Sequence, residues 1–236
     1  MTRHNFLALA TDGDGTLLRG GHMGRKTIAA LQRWRDAGHK LVLVTGENIR
    51  QVGDFPHADL FDRIVAENGA LVVRSRRGRG RTLCRPPPER LMRAFKDAHV
   101  WPLKRGRVIL QAKFDQEENI QRVLRRTKIP WNIIRNRKEL ILLPAGIDKA
   151  TGVAAALKEL GLSPHQAVAV GDAENDGPLL KLCGLAVAVN NAVPKLKRKA
   201  DFVTRGQYGK GVTELIDRLL ANGNATKRAQ RKKASA

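Results

Sequence analysis

Two aspartates near the start of the chain have the type and spacing of groups that carry out chemistry. Asp12 and Asp14 are separated by a single glycine and follow the apolar run Leu7–Ala10. Gly15 and Thr16 come next, a pattern that indicates a buried strand ending in a tightly turned, charged loop. Because ligands of open α/β sheets bind at the carboxyl ends of the strands, these carboxylates are placed to act on a ligand.

A calcium-binding loop of the EF-hand type is one alternative for closely spaced acids. It does not fit, because Leu17 occupies the position that requires glycine and Met23 occupies the position of the bidentate glutamate. A solvated acidic turn is the other alternative. The pair of aspartates alone does not distinguish that turn from a functional site. The rest of the chain is needed to distinguish them.

Three later segments carry polar residues at comparable positions. The apolar runs at 40–44 and 167–171 each end in a polar loop, and a helical pattern begins at residue 149. The polar residues at these positions are Thr45, Gly46, Lys149, Asp172 and Asp176. If the strands are parallel and adjacent, their ends converge on one cleft that contains carboxylates, a hydroxyl group and a lysine.

The order and spacing of these residues resemble the four motifs of the haloacid dehalogenase (HAD) superfamily. The corresponding segments are Asp12-Gly-Asp14-Gly-Thr16, Thr45-Gly46, Lys149 and Gly171-Asp172-Ala-Glu-Asn175-Asp176. Three further segments resemble the Cof-type phosphatases of that superfamily, which include archaeal-type phosphoglycolate phosphatases and sugar-phosphate phosphatases; they are Glu67–Ala70, Lys149–Val153 and Ala188–Thr204. The resemblance covers about residues 6 to 220 and is weakest in the middle.

The resemblance implies a phosphoric monoester hydrolase that works through an aspartyl-phosphate. Asp12 is expected to be the nucleophile, and Asp14 the general acid and base. Thr45 and the backbone N–H of Gly46 are expected to bind phosphate oxygens. Lys149 is expected to offset the remaining negative charge and to orient the nucleophile.

The resemblance also implies a Mg²⁺ cofactor, an ion that prefers oxygen ligands. The expected ligands are one oxygen of Asp12, the backbone carbonyl of Asp14, and Asp172. Asp176 is expected to support the ligands without touching the ion itself, and Asn175 is a further candidate for the site.

The chain is predicted to be an α/β protein, with a Rossmann-like core of parallel sheet flanked by helices and an inserted α+β cap. The core is expected to comprise residues 1–83 and 146–221, and the cap residues 84–145, where the run Arg85-Pro-Pro-Pro88 marks a change of pattern. Residues 222–236 lack large apolar side chains and are predicted to form a disordered basic tail.

A cap over the cleft is expected to shield the aspartyl-phosphate from water and to select the substrate. Three cations fall in the predicted cap, namely Arg107, Lys113 and Arg135. They could meet a substrate carboxylate, but an interpretation as solvated surface cations is favoured. Glu47 stands where many members of the superfamily have an arginine, so a phosphate or substrate contact is expected to be absent there.

The composition is strongly basic, with 44 lysines and arginines, 22 aspartates and glutamates, and a net charge of +22. The basic residues cluster at 74–85, 122–128, 195–199 and 227–233. Three interpretations of this positive charge stay open: attraction of anionic substrates, association with nucleic acid or ribosomes, and general solubility. The few aromatic residues do not interleave with the basic clusters, which argues against a stacking platform for single strands. Any nucleic-acid binding is expected to be weak and nonspecific.

The predicted function is a Mg²⁺-dependent phosphomonoesterase acting on a small phosphorylated metabolite, such as phosphoglycolate or a sugar phosphate. Two alternatives stay open: a basic nucleic-acid-associated protein that retains the fold with little activity, and a phosphomutase. A cytoplasmic protein is expected, because no apolar run suits a signal peptide or a membrane span. The two cysteines, Cys84 and Cys183, have no spacing typical of a metal or disulfide framework.

Overall fold

The computed structural model of the chain describes residues 6–48, 52–74, 80–135 and 139–234. Within these residues the strands are β1 Ala8–Asp12, β2 Lys40–Val44, β3 Arg63–Ala66, β4 Leu71–Val73, β5 Arg81–Thr82, β6 Leu103–Arg105, β7 Leu110–Ala112, β8 Trp131–Arg135, β9 Leu140–Pro144, β10 Ala167–Gly171, β11 Leu185–Ala188 and β12 Phe202–Val203. The α-helices are α1 Arg25–Asp36, α2 Glu89–Asp97, α3 Glu117–Thr127, α4 Lys149–Glu159, α5 Gly177–Leu182, α6 Pro194–Lys197 and α7 Tyr208–Ala234.

The larger sheet has eight strands in the order β12-β11-β10-β1-β2-β3-β4-β5. Neighbouring strands from β12 through β3 are paired in parallel. At one edge of the sheet, β3 pairs with β4 and β4 pairs with β5 in antiparallel orientation. Strand β1 is hydrogen-bonded to β10 on one side and to β2 on the other. The three strands that carry the predicted site residues are therefore adjacent, and the predicted α/β fold with a mostly parallel sheet is confirmed.

The central strands are continuous apolar runs because they are covered on both faces. Every residue of β1 and of β10 is buried. Helix α1 packs against α7, and α4 packs against α5 and β3. These helices and the sheet share one large core, which fixes the positions of the strand ends.

The smaller sheet has four antiparallel strands in the order β6-β7-β9-β8. Alternate residues along its central strands point to opposite faces, as the period of a strand requires. Leu110 and Leu142 pack with apolar residues of α2 and α3 in one cluster, while Ile141 and Leu143 belong to a second cluster. The face of this sheet opposite α2 and α3 is thus free to lie towards the larger sheet's loops.

The end of the chain departs from the predicted tail. Helix α7 continues to Ala234, so the segment 222–234 is helical, whereas disorder was expected. Alanine, lysine, arginine and glutamine, which are strong helix formers, make up nearly all of residues 225–234, so a helix that has already begun can continue through them.

Two other expectations concern cysteines and membranes. Cys84 and Cys183 are free thiols, and burial raises the pKa of the Cys183 thiol to about 12. A thiol with such a pKa is a poor nucleophile at neutral pH. None of the helices within the described residues is both long enough and apolar enough to cross a membrane.

Candidate active site

The site lies where three adjacent strands end. Asp12 is the last residue of β1, Thr45 follows β2 directly, and Asp172 follows β10 directly. Because β1 pairs in parallel with both neighbours, these residues emerge at the same edge of the sheet. This arrangement is the one predicted from the apolar runs and their polar ends.

A cavity of about 470 Å³ opens at this edge. Its lining includes the core residues Asp12, Asp14, Thr45, Gly46, Glu47, Lys149, Asp172 and Asn175, and two residues of the smaller sheet and its flank, Gln111 and Glu139. Asp176, which is fully buried, is joined to this lining through Lys149. The structure therefore brings all of the predicted site residues together.

Lys149 links two of the carboxylates at the start of α4. Its Nζ donates hydrogen bonds to Oδ1 of Asp12 and to Oδ1 of Asp176, each over 2.5 Å. The residue before it, Asp148, caps the helix by accepting the Thr151 backbone N–H over 2.8 Å. Burial opposes the charged form of Lys149, but the two carboxylates outweigh it and hold the pKa of this lysine above its ordinary value.

Asp12 is placed in an environment that disfavours its charge. Burial raises the pKa of Asp12 well above the ordinary value; Lys149 lowers it, and the nearby Asp176 and Asp172 raise it again. One lysine therefore does not balance the three carboxylates. A further cation bound at the site would stabilise Asp12 in its ionised, nucleophilic form.

The geometry of the carboxylates fits a hard metal ion. Oxygens of Asp12, Asp172 and Asp176 lie within 4.8 Å of one another, and an all-oxygen set is what Mg²⁺ prefers. Asp176 is the least suited of the three to touch the ion. Its Oδ1 accepts from Lys149, and its Oδ2 accepts the backbone N–H groups of Asp172 and Ala173 over 2.9 and 3.0 Å.

The loop after β1 is shaped around Asp172. Thr16 donates its hydroxyl hydrogen to Oδ1 of Asp172 over 3.0 Å. Gly15 has a φ of +88°, and a side chain there would place its Cβ 2.4 Å from Oδ2 of Asp172. Glycine is therefore required both by the backbone conformation and by the close approach of the carboxylate. The side chain of Asp14, in the same loop, is exposed at the cavity.

The predicted phosphate-binding residues lie beside an amide pair formed by the candidate Asn175 and by Asn68, to which the sequence gave no role. Thr45 Oγ1 accepts the Glu47 backbone N–H over 3.1 Å, and a Cβ on Gly46 would lie 3.1 Å from Nδ2 of Asn68. Asn175 donates from Nδ2 to Oδ1 of Asn68 over 3.3 Å. Nδ2 of Asn68 is buried and has no hydrogen-bond partner among the residues that the structure describes, so an N–H of this amide can still donate to a ligand.

Glu67 connects the core to the smaller sheet. Its Oε1 accepts the backbone N–H of Arg107 over 2.8 Å, and its Oε2 accepts those of Val108 and Ile109 over 2.8 and 3.1 Å. Glu67 is fully buried, with a φ of 53°. The sequence singled out the segment 67–70 only through its family resemblance. The structure adds that Glu67 holds the loop before β7, which positions that strand over the cavity.

Replacing Glu67 with glutamine is expected to weaken this connection. Glu67→Gln keeps the size but turns one acceptor into an amide donor facing backbone N–H groups, so we expect about 2 kcal/mol of destabilisation. Urea unfolding monitored by tryptophan fluorescence measures it. The control is Glu118→Gln on α3, where the residue is exposed. Equal stability of the two variants would contradict the anchoring role of Glu67.

Most of the basic residues described lie outside the cavity. Arg107 and Lys113 are exposed and do not line it, and Arg135 is exposed and paired with Glu117 over 2.8 Å. Arg135 lines an adjoining, more open cavity. The arginines at 76, 77 and 79 lie outside the described residues. The placement of Arg107 and Lys113 agrees with their interpretation as surface cations.

The sequence matches a family model described as haloacid dehalogenase-like hydrolase over residues 9–97 and 104–216. The chain belongs to this family. The match spans most of the described core and nearly all of the smaller sheet. Together with phosphatases among the relatives below, it confirms the predicted enzyme class, a phosphatase of the HAD superfamily.

Two curated relatives differ in how much of the chain they cover. "Stress response protein YhaX" of Bacillus subtilis is 44% identical over 86 residues, which is 36% of this chain and 30% of that protein. The phosphoglycolate phosphatase of Methanoculleus marisnigri is 29% identical over 224 residues, which is 88% of this chain and 94% of that enzyme. The second relative therefore matches in both core and inserted region.

Solved structures give the same fold. The HAD subclass IIB sugar phosphatase BT4131 aligns with a TM-score of 0.73 and 20% identity, covering 89% of this chain and 98% of that chain. At this identity the likeness shows a shared fold alone.

Proposed function

We propose that this protein hydrolyses phosphate monoesters of small metabolites in a Mg²⁺-dependent reaction that passes through an aspartyl-phosphate on Asp12. The observation that carries the proposal is the contact between a buried lysine and this carboxylate, with Nζ of Lys149 2.5 Å from Oδ1 of Asp12. Thr45 and Asp172 are at the adjacent strand ends, in the same cavity. Phosphoglycolate and sugar phosphates are both candidate substrates.

The first half of the reaction forms the covalent intermediate. A carboxylate oxygen of Asp12 attacks phosphorus while the bond to the leaving oxygen breaks. Asp14 gives its proton to that oxygen, so the product leaves as a neutral alcohol. Thr45 and the Gly46 N–H hold the phosphoryl oxygens, and Lys149 restrains Asp12 in position while opposing the negative charge on the transferred group.

The second half returns the enzyme to its starting state. Asp14, now ionised, takes a proton from a water molecule as that water attacks phosphorus. The bond between phosphorus and the Asp12 oxygen breaks, and inorganic phosphate is released. The Asp14 side chain is exposed at the cavity, so the attacking water can reach it.

Mg²⁺ would be held by Asp12, Asp172 and the Asp14 backbone carbonyl, with Asp176 supporting the set through Lys149 and the backbone of Asp172. When bound, the ion neutralises charge on the carboxylates and on the phosphoryl group. We also propose that residues 84–145 act as a cap that covers the site and selects the leaving group. The position of Gln111 and Glu139 in the cavity lining supports this role.

The test is hydrolysis of 4-nitrophenyl phosphate by the purified full-length protein. We expect turnover with millimolar Mg²⁺ and loss of turnover in excess EDTA, restored by adding Mg²⁺ back, because the carboxylate cluster needs a cation to accept a phosphoryl group. Asp172→Asn should need a much higher Mg²⁺ concentration for half-maximal rate. Full activity in EDTA would contradict the metal assignment, and isomerised product without free phosphate from a sugar phosphate would favour a phosphomutase.

A further inference from the structure

The cap contributes a carboxylate, Glu139, and an amide, Gln111, to the cavity lining. The direction of the Gln111 side chain follows from the alternation of side chains along its strand. Gln111 is the middle residue of β7, between Leu110 and Ala112, which both pack into the cluster with α2 and α3. Its side chain therefore points to the opposite face, where its register partner Ile141 also lies. On that face Gln111 reaches the cavity that contains Asp12.

Gln111 and Glu139 form a hydrogen-bonded unit. Nε2 of Gln111 donates to Oε1 of Glu139 over 2.6 Å, although Gln111 is only 6% exposed. A buried amide is costly unless it is hydrogen-bonded, so this bond holds both groups in place. The Nζ of Lys104 is 3.8 Å from Oε2 of Glu139, but the Lys104 side chain is 74% exposed, so it screens the carboxylate weakly.

The charge of the cavity wall restricts the substrate. Away from the phosphoryl-transfer residues, the lining carries the carboxyl group of Glu139. The sole lysine or arginine in that lining among the described residues is Lys149, which is buried between Asp12 and Asp176. A leaving group with its own carboxylate would meet like charge there without a cationic partner.

We propose that Gln111 and Glu139 are specificity-determining residues that select a neutral, hydroxyl-bearing leaving group, so that the substrates are phosphate monoesters of polyols or sugars in preference to phosphoglycolate. The inference rests on the proposed phosphatase function. A hydroxyl can donate to the Glu139 carboxylate while accepting from the Gln111 amide, a combination that neither a carboxylate nor an apolar group can make. The cavity volume suits a small-molecule ligand of this kind.

The experiment compares kcat/KM for four substrates: glucose 6-phosphate, phosphoglycolate, phosphoethanolamine and 4-nitrophenyl phosphate. We expect the wild-type protein to prefer glucose 6-phosphate over phosphoglycolate and phosphoethanolamine by at least about tenfold, because a site built to bind hydroxyl groups rejects ligands without them. A preference for phosphoglycolate would overturn the inference, and a preference for phosphoethanolamine would show that Glu139 recognises an amine.

Variants assign the preference to the pair. Glu139→Gln and Gln111→Met are each expected to lower kcat/KM for glucose 6-phosphate by about 10- to 100-fold, the effect of one hydrogen bond to a charged or buried group. Hydrolysis of 4-nitrophenyl phosphate, which has no hydroxyl to bind, should change less than about threefold. Glu139→Lys should favour phosphoglycolate, and the exposed Glu118→Gln serves as the matched control.

The outcomes separate this inference from the proposed function. Suppose that the wild-type protein hydrolyses 4-nitrophenyl phosphate and that Glu139→Gln lowers kcat/KM by the same factor on every substrate. That result would overturn the specificity role and leave the phosphatase function standing. Absence of hydrolysis of every substrate by the wild-type protein with Mg²⁺ would overturn both. Because Glu139 is partly exposed at the edge of its strand, Glu139→Gln is expected to fold even if Gln111→Met does not.

Discussion

Asp12→Asn is expected to reduce hydrolysis of 4-nitrophenyl phosphate by at least about 10⁴-fold, as removal of a covalent nucleophile does in other enzymes. The amide matches the carboxylate in size but cannot attack phosphorus. Since burial and two neighbouring carboxylates already disfavour the charge of Asp12, the variant should remain folded. Initial rates and urea unfolding, measured together, separate loss of chemistry from loss of structure. The exposed Asp36→Asn, at the end of α1, is the control.

Asp14→Asn tests the proton-transfer role in the same mechanism. Loss of proton transfer should slow turnover by about 10²- to 10⁴-fold. The leaving group of 4-nitrophenyl phosphate needs little protonation, so the covalent step should survive while attack by water slows. We therefore expect a burst of nitrophenol close to one equivalent per active site, followed by slow turnover. Near-normal activity of Asp12→Asn, or the absence of a burst in a slow Asp14→Asn, would contradict the assigned roles.

The arrangement of the strand ends could be predicted because it depends on local patterns. The apolar runs before Asp12, Thr45 and Asp172 specify buried parallel strands, and their polar ends mark the edge where ligands bind. The sequence left the adjacency of β1, β2 and β10 as a condition, and the structure shows that these strands are neighbours. The pairing of Lys149 with Asp12 was expected only as a role implied by resemblance; the structure gives its distance and adds the contact with Asp176.

The contacts between core and inserted region could not be predicted in the same way. Glu67 accepts from a loop 40 residues further along the chain, and nothing in its local pattern separates an anchor from a surface acid. Gln111 did carry a signal, since it is a polar residue inside an apolar strand, but the sequence did not show which face of the sheet it would occupy. The two-residue strands β5 and β12 exist only because neighbouring strands pair with them.

Lys149→Met is expected to destabilise the metal-free protein by about 3–5 kcal/mol at about pH 7.5, because it leaves buried carboxylates without their cation. The pKa of Lys149 is held above its ordinary value, so its stabilisation is present in full below about pH 10 and is lost only as the pH rises through the folded pKa. Urea unfolding in EDTA measures the loss. Lys158→Met, at an exposed position of the same helix, is the control.

The pH dependence of this variant distinguishes buried charge from lost packing. Without Lys149, the pKa of Asp12 should rise further, because the one contact that lowers it is gone. A carboxyl group whose folded pKa is raised favours the folded state below that pKa and disfavours it above. The deficit of Lys149→Met relative to wild type should therefore shrink between about pH 7.5 and about pH 5, and Mg²⁺ should also reduce it at the higher pH. A deficit that is constant with pH and insensitive to Mg²⁺ would mean that Lys149 stabilises the core mainly through its methylene chain.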